Sequence, residues 1–418
     1  MSFSSMGLDA DLVTVLSELG YLVPTPVQVE TIPAILAGHD VMAGAQTGTG
    51  KTAAFALPIL NQLSAQILSQ KGQVESRGTE VKPVRALILT PTRELALQVH
   101  QSFVKYGKYL DLNSAIVYGG VSIDAQSDIL KAGVDIVIAT PGRLLDHLRR
   151  GSLTLSQLAF LVFDEADRML DMGFKDEIGA ILKQVPKHRQ TLLFSATFDN
   201  AVFGLSQALL KDPKLIEVGK RNAAAGKVEQ RVYAVDALRK TELLCHLLLT
   251  EKWQQVLVFS RKKLGADKIA SALLNVGVNA LAFHGDLSQS AREKVLQQFK
   301  QGDVQVLVAT DVAARGLDVE SLAVVVNYEL PFIAEDYVHR IGRTGRAGNS
   351  GIAITLYSEE DALQLEEVEA VLDMRLPQQW LAGFEPDLTK STPELRKNSK
   401  SAQKQRARRR ATGSKIRR

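Results

Sequence analysis

The sequence predicts an α/β protein of two tandem domains, each with a parallel sheet covered by helices, and three observations predict it. Short apolar, β-branched runs alternate with amphipathic segments along most of the chain. That rhythm stops once, at Gly219 to Gly226 (GKRNAAAG), and then restarts. A Gly-rich loop stands between a strand-like run and a helical one near the start of the first domain. A strand that is apolar along its whole length must be buried on both faces, which is the condition inside a parallel sheet flanked by helices.

Taken in order, the first strand-like run is Asp40 to Ala43, followed after the Gly-rich loop by a helical pattern over Ala53 to Leu63. Then come Ala86 to Leu89 (ALIL), Asp135 to Ala139 (DIVIA), Leu158 to Phe163 (LAFLVF) and Thr191 to Phe194 (TLLF), each ended by a polar or Gly-containing turn. Gln70 to Pro83 (QKGQVESRGTEVKP) is charged and lacks apolar periodicity, so it predicts an exposed loop inside the first domain. Past the linker stand Gln255 to Phe259 (QVLVF), Val304 to Ala309 (VQVLVA) and Ala323 to Asn327 (AVVVN), with a helix predicted over Ser290 to Lys300. The domains are therefore placed at 1–218 and 228–376, with a linker at 219–227, a connecting segment at 377–389 and a tail at 390–418. The tail has almost no apolar residues, and its composition predicts disorder.

A chain of 418 residues exceeds what one hydrophobic core usually serves. With 45% hydrophobic and 23% charged residues, wholesale disorder and collagen-like repeats are excluded. The single Cys245, in the apolar setting ELLCHLLL, has no internal disulfide partner and reads as a buried thiol, and the adjacent His246 does not make a metal pair with it. The start, MSFSSMGLDADLV, has neither a basic nor an apolar leader region, and no stretch approaches the ~18 apolar residues of a membrane span. A cytoplasmic monomer without a membrane partner is the expectation. The formal charge of +4 conceals a segregation. Residues 390–418 hold 12 Lys plus Arg against Glu394 alone, a net +11, and the other 389 residues are net −7. Such a cationic end, KQRARRRATGSKIRR, is suited to non-specific, salt-dependent contacts with nucleic-acid phosphates.

The Gly-rich loop is Ala45, Gln46, Thr47, Gly48, Thr49, Gly50, Lys51 and Thr52 (AQTGTGKT). Glycines let backbone amides approach phosphate oxygens at a helix N-terminus, Lys51 supplies a point charge to the β and γ phosphates, and Thr52 can ligate Mg²⁺. Ala45 stands where this loop usually has its first glycine. About 110 residues later, Asp164, Glu165, Ala166 and Asp167 end the buried run LAFLVF. Carboxylates at the carboxyl end of a parallel strand stand where ligands bind in such sheets. Asp164 is placed to hold Mg²⁺ and Glu165 to orient and deprotonate an attacking water.

With these motifs in place, the chain resembles the DEAD-box ATP-dependent RNA helicases of superfamily 2 over residues 3–346. The resemblance implies two RecA-like domains that close over ATP and RNA. Phe3 and the stretch GYLVPTPVQ, which ends at Gln28, are similar to the family's Q motif, which implies that Phe3 packs on adenine and Gln28 bonds its edge, favouring ATP over GTP. Ser195, Ala196 and Thr197 (SAT) imply, with Asp167, His339 and Arg340, coupling of ATP state to lobe closure. In DVAARGLD, Gly316 and Asp318 are similar to residues that meet the ribose, and in YVHRIGRTGR the implied arginine fingers are Arg343 and Arg346. The catalytic set is thus Lys51, Asp164, Glu165, Arg343 and Arg346.

For RNA, the resemblance implies backbone contacts from Pro91, Thr92 and Arg93, Gly119 and Gly120, and Thr140, Pro141, Gly142 and Arg143 of the first domain. The second domain contributes Ser260, Arg261, Gln289, Arg292 and Thr310. Hydroxyls, glycine amides and arginines are suitable donors to phosphate, and such contacts carry no base sequence. The start MSF, the stretch YELPFIAEDYVHRIGRTGRAG and the late GFEPD are most similar to the bacterial RhlE-like group, which suggests ribosome assembly or RNA decay. Two other readings stay open: a DNA-directed translocase with the same two lobes, and an ATP-gated RNA clamp that assembles other proteins.

Overall fold

The computed structural model describes residues 2–44, 49–70, 83–198, 200–217, 228–314, 317, 319, 322–345 and 351–387, with side chains left aside at 67–70 and 200. The expected loop, the linker and the basic tail fall almost wholly outside these residues.

The first lobe runs α1 (Ala10–Glu18), α2 (Pro26–Leu36), β1 (Val41–Gly44), α3 (Lys51–Gln70), β2 (Ala86–Leu89), α4 (Arg93–Tyr106), β3 (Ser114–Val117), α5 (Ile123–Lys131) and β4 (Ile136–Ala139). It continues with α6 (Pro141–Arg150), β5 (Phe160–Phe163), α7 (Ala166–Asp171), α8 (Lys175–Leu182), β6 (Gln190–Ser195), α9 (Asn200–Leu209) and β7 (Lys214–Glu217). The second lobe runs β8 (Val228–Ala234), α10 (Lys240–Glu251), β9 (Val256–Ser260), α11 (Lys263–Asn275), β10 (Ala280–Phe283), α12 (Gln289–Gln301) and β11 (Val306–Thr310). It ends with α13 (Asp311–Ala314), β12 (Val324–Asn327), α14 (Glu335–Ile341), β13 (Gly351–Tyr357), α15 (Ala362–Leu372) and β14 (Gln378–Gln379).

Both sheets are parallel and seven-stranded, in the orders β3-β4-β2-β5-β6-β1-β7 and β10-β11-β9-β12-β13-β8-β14. Renumbered within its own lobe, the second order is the same as the first, so the chain is two copies of one RecA-like topology. The apolar runs divide by alternation: Ile88, Ile138, Val162 and Phe194 face one core layer, and Leu87, Val137, Leu161 and Leu193 face the other. A period of two along each strand places successive side chains on opposite faces, and both faces here are buried.

One boundary is corrected. Residues 377–387, expected as a connecting segment, pack as part of the second lobe, because β14 pairs with β8, Phe384 joins the core beside Val256 and Val324, and the Asp387 amide donates to Asp236. The Phe384 ring also contacts the His246 ring at 5.1 Å and lies under the Arg239 guanidinium, so an aromatic anchor carries this stretch into the second lobe. Among the described residues no helix is long and apolar enough to cross a membrane.

Candidate nucleotide site and nucleic-acid face

Sheet order sorts the motifs into two neighbourhoods. In the first lobe β5, β6 and β1 are adjacent, and their carboxyl ends deliver the acidic motif, SAT and the Gly-rich loop. On the other half, β3, β4 and β2 deliver Gly119 and Gly120, Thr140 to Arg143, and Pro91 to Arg93. A doubly wound sheet places ligands outside the carboxyl ends of its strands, so adjacent strands make one continuous site each.

Lys51 is the first residue of α3 and is 6% exposed, and its Nζ has no hydrogen-bond partner among the described residues. Asp164, 2% exposed, likewise leaves Oδ1 unpartnered. The second lobe supplies an internal comparison. Lys240, the first residue of α10 after β8, matches Lys51 in topology, but its Nζ bonds Asp361 Oδ2 at 2.6 Å. Where the copy carries no Gly-rich loop, the buried lysine has an internal counterion; where it does, the lysine has none among the described residues. Burial pushes the Asp164 carboxyl up to about 7, with Lys51 opposing and Glu165 and Asp167 adding to the rise. No group of three or more metal-ligating side chains occurs among the described residues. The oxygen donors present, the Asp164 carboxylate and the Thr52 hydroxyl, are of the kind Mg²⁺ takes when phosphate and water complete its shell.

The folded-state pKa of Asp164 lies above the ordinary carboxylate range, so ionisation of this carboxyl works against folding. That cost is absent below the unfolded pKa, grows as pH rises, and is complete above about 7. Asp164→Asn is therefore expected to raise the melting temperature of the nucleotide-free protein at pH ~8 and to leave it unchanged near pH ~4. Thermal denaturation across that range checks this, and an Asn variant less stable at the higher pH would overturn it.

Glu165 precedes α7 with φ of 55°, a left-handed conformation that costs a non-glycine residue energy. Its carboxylate makes no hydrogen bond to a described residue. Asp167 is committed: Oδ2 accepts from the amides of Ala196 (3.2 Å) and Thr197 (3.1 Å) and from the Thr197 hydroxyl (3.2 Å). The Ser195 hydroxyl donates to the Thr197 carbonyl. The acidic and SAT motifs are thereby one hydrogen-bonded unit.

Several of the expected site residues already hold contacts inside the protein. Phe3 is 4% exposed within the first-lobe core, packed with Met6 and Leu8, so its ring is a core side chain. Gln28 accepts from the Thr25 amide and donates to the Gly50 carbonyl, so its amide ties the start of α2 to the Gly-rich loop. Gly50, at φ +89°, also has no room for a Cβ, which would strike that amide. Arg340, 1% exposed, does not reach SAT or the acidic motif. It grips Asp311 with two nitrogens (2.6 and 2.7 Å) and donates to Asn327 and to the Glu329 carbonyl, all within the second lobe. His339, on the same helix, is half-buried. Arg343 is 5% exposed and donates to the Leu317 carbonyl, anchored in its own lobe. Ala45, Gln46, Thr47, Gly48, Gly316, Asp318 and Arg346 lie outside the described residues. Thr49 and Thr52 are half-buried beside Lys51.

On the other half of the cleft, Thr92 and Thr140 precede α4 and α6, so two helix N-termini open at neighbouring strands, with Pro141 as the first residue of α6. The Arg93 guanidinium lies against Gly120, whose φ of +86° and missing Cβ make that approach possible. Donors of these kinds suit phosphate oxygens. Pro91 is buried, whereas Gly119 and Gly142 are partly exposed beside these donors. Arg143 is instead used internally, donating to the Val121 carbonyl and to Gln126. In the second lobe the Ser260 hydroxyl, fully buried, bonds Glu329, and Arg261 bonds the Leu330 carbonyl and Asp361. Arg292 pairs with Glu94 across the lobes at 2.9 Å. Gln289 bonds Glu293, and Thr310 is buried at the end of β11. These arginines shape the cleft from beneath its surface, because protein acceptors already hold them. Two residues outside the expected set complete a second bridge between lobes: Arg168 of α7 and Asp336 of α14 form a buried ion pair.

Comparison with known proteins agrees with this architecture. Residues 25–203 match the DEAD/DEAH box helicase family and residues 239–348 the helicase conserved C-terminal domain. The chain is 41% identical over 385 residues to the ATP-dependent RNA helicase DeaD of Escherichia coli (strain K12), covering 92% of this chain and 59% of that protein. It thus spans about three fifths of the length of the curated relatives it matches. Among solved structures, a DEAD box protein from Methanococcus jannaschii is 37% identical, with 91% of this chain and 99% of that one covered and a TM-score of 0.52. The Saccharomyces cerevisiae protein Dbp5 bound to RNA and ADP BeF3 is 28% identical over 91% of this chain and 95% of its own, yet scores 0.77. The more distant relative gives the higher score over the two lobes.

Proposed function

The chain belongs to the DEAD/DEAH box helicase family, and from that premise we propose that it is an RNA-dependent ATPase which closes two lobes over ATP and RNA. Closure separates short RNA duplexes or remodels RNA–protein complexes. The observation that carries this reading is the pair of buried groups without a hydrogen-bond partner among the described residues, Lys51 Nζ and Asp164 Oδ1, beside a cleft that the second lobe completes. Lys51 would meet the β and γ phosphates, and Glu165 would orient and deprotonate the attacking water. Arg343 and Arg346, from the other lobe, would stabilise charge developing on the transferred phosphoryl group. Thr52 and Asp164 would hold Mg²⁺, which supplies charge neutralisation to the phosphate oxygens when bound.

Neither lobe holds the whole set, so turnover depends on closure, and RNA that bridges the lobes promotes it. The glycine, threonine and helix-terminus donors beside Arg93 support backbone recognition without sequence preference. Targeting then falls to the basic tail, which adds salt-dependent grip, or to partners. Cytoplasmic action of a monomer on ribosome precursors or in RNA decay, as in an RhlE-like helicase, is the biological reading we favour. A steady-state ATPase assay with RNA or DNA as activator, run beside a duplex-displacement assay, tests the function. RNA should stimulate turnover and a short duplex should separate with ATP. Stimulation by DNA alone would make the chain a DNA translocase, and RNA-stimulated turnover without displacement would make it a clamp.

A further inference from the structure

The Arg168–Asp336 pair joins two pieces that are each fixed within their own lobe. Arg168 follows Asp167, whose carboxylate is bonded to Ala196 and Thr197. Asp336 stands one turn before Arg340, which is bolted to Asp311, Asn327 and Glu329. Arg168 Nη1 donates to Asp336 Oδ1, and the two side chains are 5% and 7% exposed. Within its own lobe Arg168 has the more open Asp171 within ion-pair range, at 3.7 Å and 35% exposed, and lies in the field of Asp167 and Glu165. The pair is buried where the lobes meet. A buried ion pair adds little net attraction, because desolvation offsets its Coulomb energy, but removing one partner strands a buried charge. The consequence is selection among registers: a closed arrangement that misaligns the two residues is heavily disfavoured.

We propose that Arg168 and Asp336 form a positioning latch that sets the register in which α14 docks on the start of α7, and so where Arg343 comes to rest relative to Lys51 and Asp164. Arg343 stands seven residues after Asp336, just past the end of α14, so a shift of that helix along α7 carries the arginine with it. A second interlobe pair among the described residues, Arg292–Glu94, lies beside Thr92 and Arg93 on the opposite half of the cleft. Arg168–Asp336 is thus the bridge on the nucleotide side. Neither residue touches substrate, and both act through the elements they hold.

The latch rests on the RNA-dependent ATPase reading, and the test separates the two. Full-length chains carrying Arg168→Asp, Asp336→Arg or both are compared in three measurements. These are RNA-stimulated turnover, binding of a fluorescent ATP analogue without RNA, and lobe closure by energy transfer between one dye on each lobe with RNA and a non-hydrolysable ATP analogue. Each single reversal should lower RNA-stimulated turnover on the order of 10²-fold and reduce closure, while melting temperature and nucleotide affinity without RNA stay near wild type. The double reversal should recover turnover to within about tenfold of wild type. Where a reversal does not fold, Arg168→Gln and Asp336→Asn take its place, with the same losses expected. Wild-type turnover in the single variants, or a folded double variant as impaired as the worse single one, overturns the latch alone. A wild-type chain that RNA neither closes nor stimulates overturns the functional reading, and the latch with it.

Discussion

Lys51→Ala is expected to lower RNA-stimulated ATP turnover by about 10³-fold or more, with little loss of folding stability. The reasoning starts from two lysines in equivalent places. Lys51 and Lys240 each open the helix after the sixth strand of their sheet, and each is nearly inaccessible to solvent. Lys240 is neutralised by Asp361, which also accepts from Ser358 and Arg261. Lys51 has no such partner among the described residues, and burying an ammonium without one is unfavourable. Removing it relieves that burial but deletes the charge that would meet the phosphates. Lys240→Ala is the matched control, in which the loss should appear as stability, and as less than the about 3–5 kcal/mol of a fully stranded charge because Arg261 and Ser358 still bond Asp361. Steady-state turnover and chemical denaturation of both variants check the contrast. Persistent RNA-stimulated phosphate release in Lys51→Ala would remove this lysine from the site.

What the sequence makes legible follows from which physical quantity it encodes. Burial of a strand on both faces is written directly into its residues, so ALIL, LAFLVF and TLLF coincide with β2, β5 and β6 to within two residues. The edge strands β7 and β14 carry no such signal. β7 is KLIE with one buried residue, and β14 is two exposed glutamines that extend the second sheet through a stretch read as a connection. The arginines show a different limit. A guanidinium offers the same donors to a phosphate, a carboxylate or a carbonyl, so residue type names the donor and leaves the acceptor open. Arg143, Arg261, Arg292 and Arg340 occupy motif strings that suggest phosphate or motif coupling, yet each is held by protein acceptors. Arg168 and Asp336 are 168 positions apart, on helices of different lobes, and no local periodicity can connect them. Only the folding of both sheets brings them together.

Glu165→Gln is expected to hold ATP and RNA while turning over on the order of 10²- to 10⁴-fold more slowly, so that the closed complex accumulates. Three carboxylates stand within four residues, and the structure gives two of them other partners. Asp167 is saturated by the amides and hydroxyl of the SAT segment, and Asp164 is buried in the field of Lys51. Glu165 is left, 8% exposed, with no hydrogen bond to a described residue and a strained left-handed backbone that fixes where it points. Strain of this kind persists where the surroundings impose it, and it concentrates at functional positions. Glutamine keeps the size of the side chain and its ability to bond a water, but it cannot accept the proton. Binding and closure should therefore survive while the chemical step fails. The measurement is a chase experiment: labelled RNA is bound with ATP, excess unlabelled RNA is added, and release is timed beside single-turnover hydrolysis. Release slowed in parallel with hydrolysis is the expected result. Normal hydrolysis by the variant would assign the proton to another group, whereas slow hydrolysis with fast RNA release would mean that Glu165 is needed for closure itself.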